Sequence, residues 1–184
     1  MSIILNAILK DIEAIRHRLF KLDEDVITLS ITDWNTYFPW VNNFWIRNKP
    51  APQHACADGT RTAYYWCRFH STKDYVFTRS GTSKRNRSTR DAMNCGIKFK
   101  AVFYGENFVE VIRHSECLKH TYIIEDIDRI KKHSAIKQLA AKESTHGYKT
   151  SEVFANFRAI HRPENRKKLY EVGAYWLNLK DIYN

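Results

Sequence analysis

Four cysteines, Cys56, Cys67, Cys95 and Cys117, are spread through a chain of 184 residues, and the stretch holding the last three ends in Cys117-Leu118-Lys119-His120. Thiolate sulfur and imidazole nitrogen suit a tetrahedral zinc ion, and in a reducing compartment such a pattern points to metal before disulfide. Cys67, Cys95 and His120 are therefore the expected core of a metal site, with a fourth ligand from Cys117 or His114. Four protein ligands and no open position would make the metal structural. The competing reading is a set of buried thiols and an unrelated surface histidine. Cys117 is preferred as the fourth ligand because Glu116 and Lys119 flank it, whereas an inert buried thiol usually has apolar neighbours. Cys56 lies apart among Pro50, Pro52 and Gly59 and reads as a loop cysteine.

Between Cys67 and Cys95 runs a second chemical feature. Arg79, Lys84, Arg85, Arg87 and Arg90 alternate with Ser80, Thr82, Ser83, Asn86, Ser88 and Thr89. These side chains bind phosphate, which sets affinity and salt sensitivity without reading base sequence. Lys98 and Lys100 alternate with Ile97 and Phe99, so both should project from one face of a strand. The net charge of +10 and an isoelectric point near 9.5 fit a polyanionic partner. A solvated, disordered connector is the competing reading of the basic run. Catalysis is not expected: there is no nucleotide-cradling glycine loop, histidine-pair protease motif or nucleophile elbow. Asp126, Asp128 and Glu143 are read as solvent-facing charges on a helix.

The elements that would position these groups follow from periodicity. Ile4, Ile8, Ile12, Ile15, Leu19 and Leu22 recur at helical spacing, predicting an amphipathic helix over 3–22 whose apolar face packs on a core rather than on a second copy. Trp34 to Arg47 predicts a second helix starting near Pro39, its aromatics in the core. Lys49 to Thr60 is a loop by composition. Thr62–Phe69, Cys95–Tyr104 and Phe108–Ser115 are rich in aromatic and β-branched residues and predict strands, the last two joined by a hairpin turn at Gly105-Glu106-Asn107. Folding them antiparallel brings Cys67, Cys95 and Cys117/His120 to one edge. Helical spacing returns over Asp126–Ser144 with Gly147 as a stop. Thr150 or Ser151 then caps a helix through Ala159, and Pro163 opens another to Val172. The organisation is a helical segment at 1–48, a zinc-binding β domain at 49–124 and a helical extension at 125–184. Residues 1–9 are apolar, but Lys10, Asp11 and Glu13 follow without a cleavage site, so no signal peptide is expected, and no apolar run is long enough to span a bilayer.

Tyr64-Tyr65-Trp66-Cys67, Cys95-Gly96-Ile97-Lys98-Phe99-Lys100, Val109-Glu110-Val111 and Cys117-Leu118-Lys119-His120 together resemble the WRKY and glial-cells-missing class of zinc finger. That class includes the far-red-impaired-response and FLYWCH domains and the amino-terminal domains of Mutator-like transposases, and the transposase-type domain of fungi and oomycetes is the nearest likeness. The similarity runs firmly from Tyr64 to Lys131. More loosely it continues through Gly147-Tyr148 and Gly173-Ala174-Tyr175-Trp176-Leu177 to Asp181-Ile182-Tyr183-Asn184. It implies a four- or five-stranded antiparallel sheet, one zinc ion and a strand edge in the DNA major groove. Two features depart from the family: Tyr122 stands where its His-x-His motif has the second histidine, and its WRKYGQK strand is missing.

The expectation is an α+β chain with one structural zinc, flanked by helices at both ends, that binds double-stranded DNA through Arg79, Lys84, Arg85, Arg87, Arg90, Lys98 and Lys100. Its expected location is the nucleus, or a host nucleus if it is a secreted effector. The chain stops where a transposase core would begin, so strand transfer is not expected of it. Two alternatives stay open: a scaffold whose terminal helices bind a protein partner, and an RNA-binding module using exposed Tyr64, Trp66 or Phe69.

Overall fold

The computed structural model describes residues 11–48, 59–70, 95–117, 119–145, 149, 151–152, 155 and 163–177. Helix α1 (Ile12–Lys21) leads into strand β1 (Val26–Ser30), helix α2 (Ile31–Tyr37), a 3-10 turn (Phe38–Trp40) and strand β2 (Trp45–Arg47). Strands β3 (Thr60–Cys67), β4 (Lys98–Tyr104) and β5 (Phe108–Arg113) follow, then helices α3 (Ile124–Ile130), α4 (Ser134–Thr145) and α5 (Pro163–Glu171). The strands form one five-stranded antiparallel sheet in the order β1-β5-β4-β3-β2. This is the expected α+β architecture.

The three inner strands lie where the aromatic and β-branched runs placed them. The β4–β5 hairpin pairs Tyr104 with Phe108 and Phe99 with Arg113. Its turn uses Gly105 at φ +59°, which a glycine adopts without strain, and the Asn107 N–H bonds the Tyr104 carbonyl at 3.2 Å. The two edge strands come from the first 48 residues, a stretch read as a helical segment. In β1 the residues alternate, with Ile27 and Leu29 buried and Val26, Thr28 and Ser30 exposed. Ser30 ends that strand and starts α2, its hydroxyl accepting the Asp33 N–H at 2.9 Å. The helix expected over Trp34–Arg47 is only α2 and the 3-10 turn, because Pro39 has no N–H to carry an α-helical ladder onward. Beyond it Trp45–Arg47 pairs with Tyr65–Cys67.

Among the described residues, only one face of the sheet is covered. Ala63, Tyr65, Cys67, Phe99, Ala101, Phe103, Val109 and Val111 point into a core completed by Leu19, Phe20, Trp34 and Phe44. Trp34 and the other aromatics of its segment are core residues, as expected. The opposite face carries Tyr64, Trp66, Lys98 and Lys100, and Tyr64 is 44% exposed.

A second cluster gathers Ile12, Trp40, Ile136, Leu169, Val172 and Leu177. Here the helix expected over Asp126–Ser144 is two helices, broken at residues 131–133. Lys131 is extended, and the buried Lys132 turns its ammonium onto the Asp128 and Arg129 carbonyls at the end of α3. His133 caps α4: its Nδ1 accepts the Ile136 N–H at 3.2 Å while Nε2–H donates to the Val172 carbonyl at 2.6 Å. Pro163 opens the last helix as expected, and of the helix expected from Thr150 or Ser151, residues 151–152 are helical. Residues 1–10, Gly147, Cys56 and most of that helix lie outside the described residues.

An ion pair lies between the two clusters. Arg16 Nη2 meets both carboxylate oxygens of Asp128 at 2.8 and 2.6 Å, and Asn43 Nδ2 donates to Asp128 Oδ1 at 2.7 Å. Asp128, expected at the surface, is 2% exposed, and Arg16 is fully buried. Helical spacing could not reveal this, because the partner cation comes from a helix far away in the chain. Asp126 is partly exposed and accepts the Ile123 N–H at 3.3 Å, while the Glu143 side chain lies outside the described residues. Gly173 closes over the pair at φ +68°, where a Cβ would stand 2.5 Å from Arg16 Nη1 and 2.6 Å from Asp128 Oδ1.

Asp128→Ala leaves a buried guanidinium uncompensated and is expected to cost about 3–5 kcal/mol in urea unfolding, whereas Arg16→Met with Asp128→Leu recovers most of that loss. His133 supplies a pH signature. Burial first, then the charges of Arg16 and Lys132, hold its imidazole well below the ordinary histidine range. The unfolded chain binds a proton below about pH 6.5 that the folded one refuses, so stability should fall as pH drops through that value. In His133→Gln this component of the pH slope should vanish from unfolding curves recorded between pH 5 and 8.

Candidate metal centre

The strand alternation that builds the core also builds the site. Cys67 ends β3 on the covered face, its N–H bonded to the Ile97 carbonyl at 3.0 Å. Cys95 stands just ahead of β4 and is joined to the end of β3 by its own N–H, which bonds the Phe69 carbonyl at 3.1 Å. His120 arrives from the segment after β5. The Sγ atoms of Cys67 and Cys95 and a ring nitrogen of His120 all lie within 4.8 Å of one another. Both cysteines are 0% exposed.

The histidine is oriented from behind. Its Nε2–H donates to the Phe20 carbonyl at 2.7 Å, and its ring stacks on Phe20 at 4.1 Å between centroids. That bond puts the proton on Nε2 and leaves the Nδ1 lone pair facing Cys95 Sγ at 3.2 Å. A carbonyl behind a ligating imidazole is the usual support for a metal-binding histidine.

The two thiols lie close enough to perturb one another. The neighbouring Cys67 thiol pulls the Cys95 thiol down, to about 4, and Cys95 beside it, together with burial, pushes the Cys67 thiol far above the ordinary range. Two thiols and an imidazole nitrogen this close together form a donor set that a divalent cation can hold by displacing the thiol protons. The donor set thus fits a soft or borderline metal.

Tyr122 was not identified from sequence as part of this site. It is 7% exposed, and its hydroxyl lies 2.9 Å from Cys67 Sγ. Burial first, then the neighbouring Cys67, push its phenol far up, so it stays protonated and acts as a hydrogen-bond donor to the sulfur. The clue was its position in His120-Thr121-Tyr122, two residues beyond the ligating histidine, from where its side chain points back into the cluster.

The two candidates for a fourth ligand sit differently. Cys117 is exposed and outside the three-residue cluster, but its sulfur lies over Gly96, 2.5 Å from where a Cβ would be, and Gly96 follows Cys95 directly. His114 is exposed and lies beside Tyr64 on the open face, its ring 5.9 Å away. A cleft of about 340 Å³ lined by Phe20, Lys119, His120 and Tyr122 opens next to the cluster.

Of the residues expected to contact nucleic acid, Lys98 and Lys100 project together on the open face, opposite Trp66 and Tyr64. Lys98 Nζ lies 5.2 Å from the Trp66 ring centre. Arg79, Lys84, Arg85, Arg87 and Arg90 lie outside the described residues. Phe69 packs against Tyr122 in the core rather than standing exposed.

Fold and site define a small α+β protein with a buried Cys2His cluster able to chelate a metal ion. No protein-family model, curated protein or solved structure matches the chain. Among the described residues no helix is long and apolar enough to cross a membrane.

Cys67→Ser, Cys95→Ser and His120→Ala should each abolish tight metal binding in competition titrations with a chromogenic chelator. Tyr122→Phe should retain binding but weaken it roughly 10- to 100-fold, the usual effect of removing a group that supports a ligand.

Proposed function

We propose that this chain is a zinc-stabilised module that binds double-stranded DNA and catalyses no reaction. The observation that carries the reading is the place where the basic segment is anchored. Residues 71–94 hold Lys73, Arg79, Lys84, Arg85, Arg87 and Arg90 against only two acids, Asp74 and Asp91. Both ends of that segment are tied together by the Cys95–Phe69 backbone bond and by His70 Nδ1 at 3.1 Å from the Cys95 carbonyl. The anchor adjoins the Cys2His cluster and the end of the open face where Lys98 projects. A metal there would hold the strand ends that present the basic segment and the lysines to one duplex.

Zinc is the metal that best suits two thiolates and an imidazole, and Cys117, next to Gly96 and reachable from solvent, is the proposed fourth ligand. The resemblance of Cys67, Cys95 and His120 to the WRKY and glial-cells-missing zinc fingers supports the same reading, as does the net charge of +10. Such a module works in a nucleus, as a regulator or as a transposase-derived binding domain. A second reading, stacking of single-stranded nucleic acid, rests on Tyr64 and Ile46, each 44% exposed beside Trp66 on the same face.

Purified, reduced protein should carry one zinc per chain, and cobalt(II) substitution should give a thiolate charge-transfer band that weakens in Cys117→Ser. Affinity for a mixed-sequence duplex should fall steeply with salt. Lys98→Ala with Lys100→Ala should lower the slope of log K against log salt by about two while leaving metal content unchanged. Salt-independent affinity would overturn the DNA reading, and stronger competition by single strands would favour the stacking one.

A further inference from the structure

At the end of the sheet away from the cysteine cluster, the covered face opens into a cavity of about 540 Å³ between α2, β2, β3 and the β4–β5 turn. This lies in the range of small-molecule sites, about 300–1,000 Å³. It is also distant from the metal centre, since Arg61 and Cys67 are six positions apart on one strand, roughly 20 Å at about 3.3 Å per residue.

The side chains around it are unusual for the inner face of a sheet. Register puts Arg47 opposite Tyr65 and Arg61 opposite Phe103, so both arginines continue the rows that bury Trp45, Cys67 and Ala63. Apolar residues would be expected there. Neither guanidinium makes an ion pair with a described residue. Both charges bear on the Tyr65 hydroxyl, which makes no hydrogen bond with a described residue. The walls are aromatic: Trp34 stands edge-on to Phe103 at 5.6 Å, and Arg61 lies over Phe103 at 4.6 Å. Asn35 and a single acid, Glu106, complete the polar lining.

Two guanidiniums that make no ion pair with a described residue, lining one cavity with the Tyr65 phenol, match the oxygens of a phosphate monoester, which arginine binds bidentately. The faces of Trp34 and Phe103 are taken by Phe38 and Arg61, so their ring edges give the cavity its apolar wall for a flat heterocycle, and Asn35 offers a donor and an acceptor to its edge. We propose that this cavity is a binding site for a nucleoside phosphate, with the phosphate held by Arg47, Arg61 and the Tyr65 hydroxyl and the base against the ring edges of Trp34 and Phe103. Glu106 is placed to accept from a ribose hydroxyl. The ligand is either a free mononucleotide or the phosphorylated terminus of a strand, because both present the same chemistry. The site lies on the face opposite Lys98 and Lys100 and does not depend on the DNA reading.

The test is calorimetric titration of the full chain with AMP, GMP, CMP and UMP, with adenosine, with inorganic phosphate, and with a short single strand bearing a 5′-phosphate or a 5′-hydroxyl. At least one nucleoside phosphate should saturate the protein, with the nucleoside and phosphate alone binding at least tenfold more weakly. Arg47→Gln and Arg61→Gln, both at exposed positions, should each weaken binding by roughly ten- to hundredfold without moving the unfolding midpoint. Lys98→Ala with Lys100→Ala should leave it unchanged. Saturation by mononucleotides identifies the free ligand; saturation only by the 5′-phosphorylated strand, lost in the arginine variants, identifies a strand terminus. Absence of saturation by any of these at millimolar concentration, equal affinity for phosphate alone, or full affinity in the double arginine variant would overturn the proposal.

Discussion

The Arg16–Asp128 pair is the contact on which the two halves of the molecule depend. Taking a guanidinium and a carboxylate out of water costs several kcal/mol per ion, so neither residue tolerates the core without the other. Burial does push the Asp128 carboxyl up, with Arg16 and Asn43 pulling in the opposite direction. The pair therefore acts less as a source of stability than as a demand for one arrangement: α1, the Asn43 segment and α3 must meet at a single point. Gly173 packs so closely on both charges that the end of α5 is drawn into the same demand. The sheet core and the helical cluster are joined there by a contact with few workable alternatives.

The cysteine cluster is the counterpart at the edge of the sheet. Three ligand atoms come from the end of β3, the approach to β4 and the segment after β5, so their meeting requires the sheet to be in register. Phe20, supplying both a carbonyl and a ring to His120, makes α1 part of the same arrangement. Helix α1 therefore serves both centres, with Arg16 facing the ion pair and Phe20 the imidazole. Tyr122 brings a hydroxyl to Cys67 Sγ from the same segment as His120, supporting the sulfur already there.

How much of this could be read from the residues depended on how local the signal was. The β4–β5 hairpin announced itself through Gly105-Glu106-Asn107 between alternating apolar runs. Cys67, Cys95 and His120 were identified because their donor types and positions at strand ends are visible without knowing the packing. Strand β1 was missed because five residues of alternation between two helical patterns carry little weight, and its partner β5 lies far along the chain. The break between α3 and α4 was missed because Lys132 and His133 look like ordinary polar helix residues until their carbonyl partners are known. Asp128 and Tyr122 share that difficulty: each owes its role to one specific atom brought in by another element.

The distance between β1 and β5 also governs the order in which the protein can form as it leaves the ribosome. Val26 pairs with Ile112 and Ser30 with Phe108, so β1 is synthesised long before the strand that completes it. Strands β3, β4 and β5 can close by neighbouring contacts, but β1 must wait with Ile27 and Leu29 uncovered, and non-local pairings of this kind slow folding. In the interval its apolar face is available to chaperones. Strand β1 can therefore join the sheet only once β5 has been synthesised.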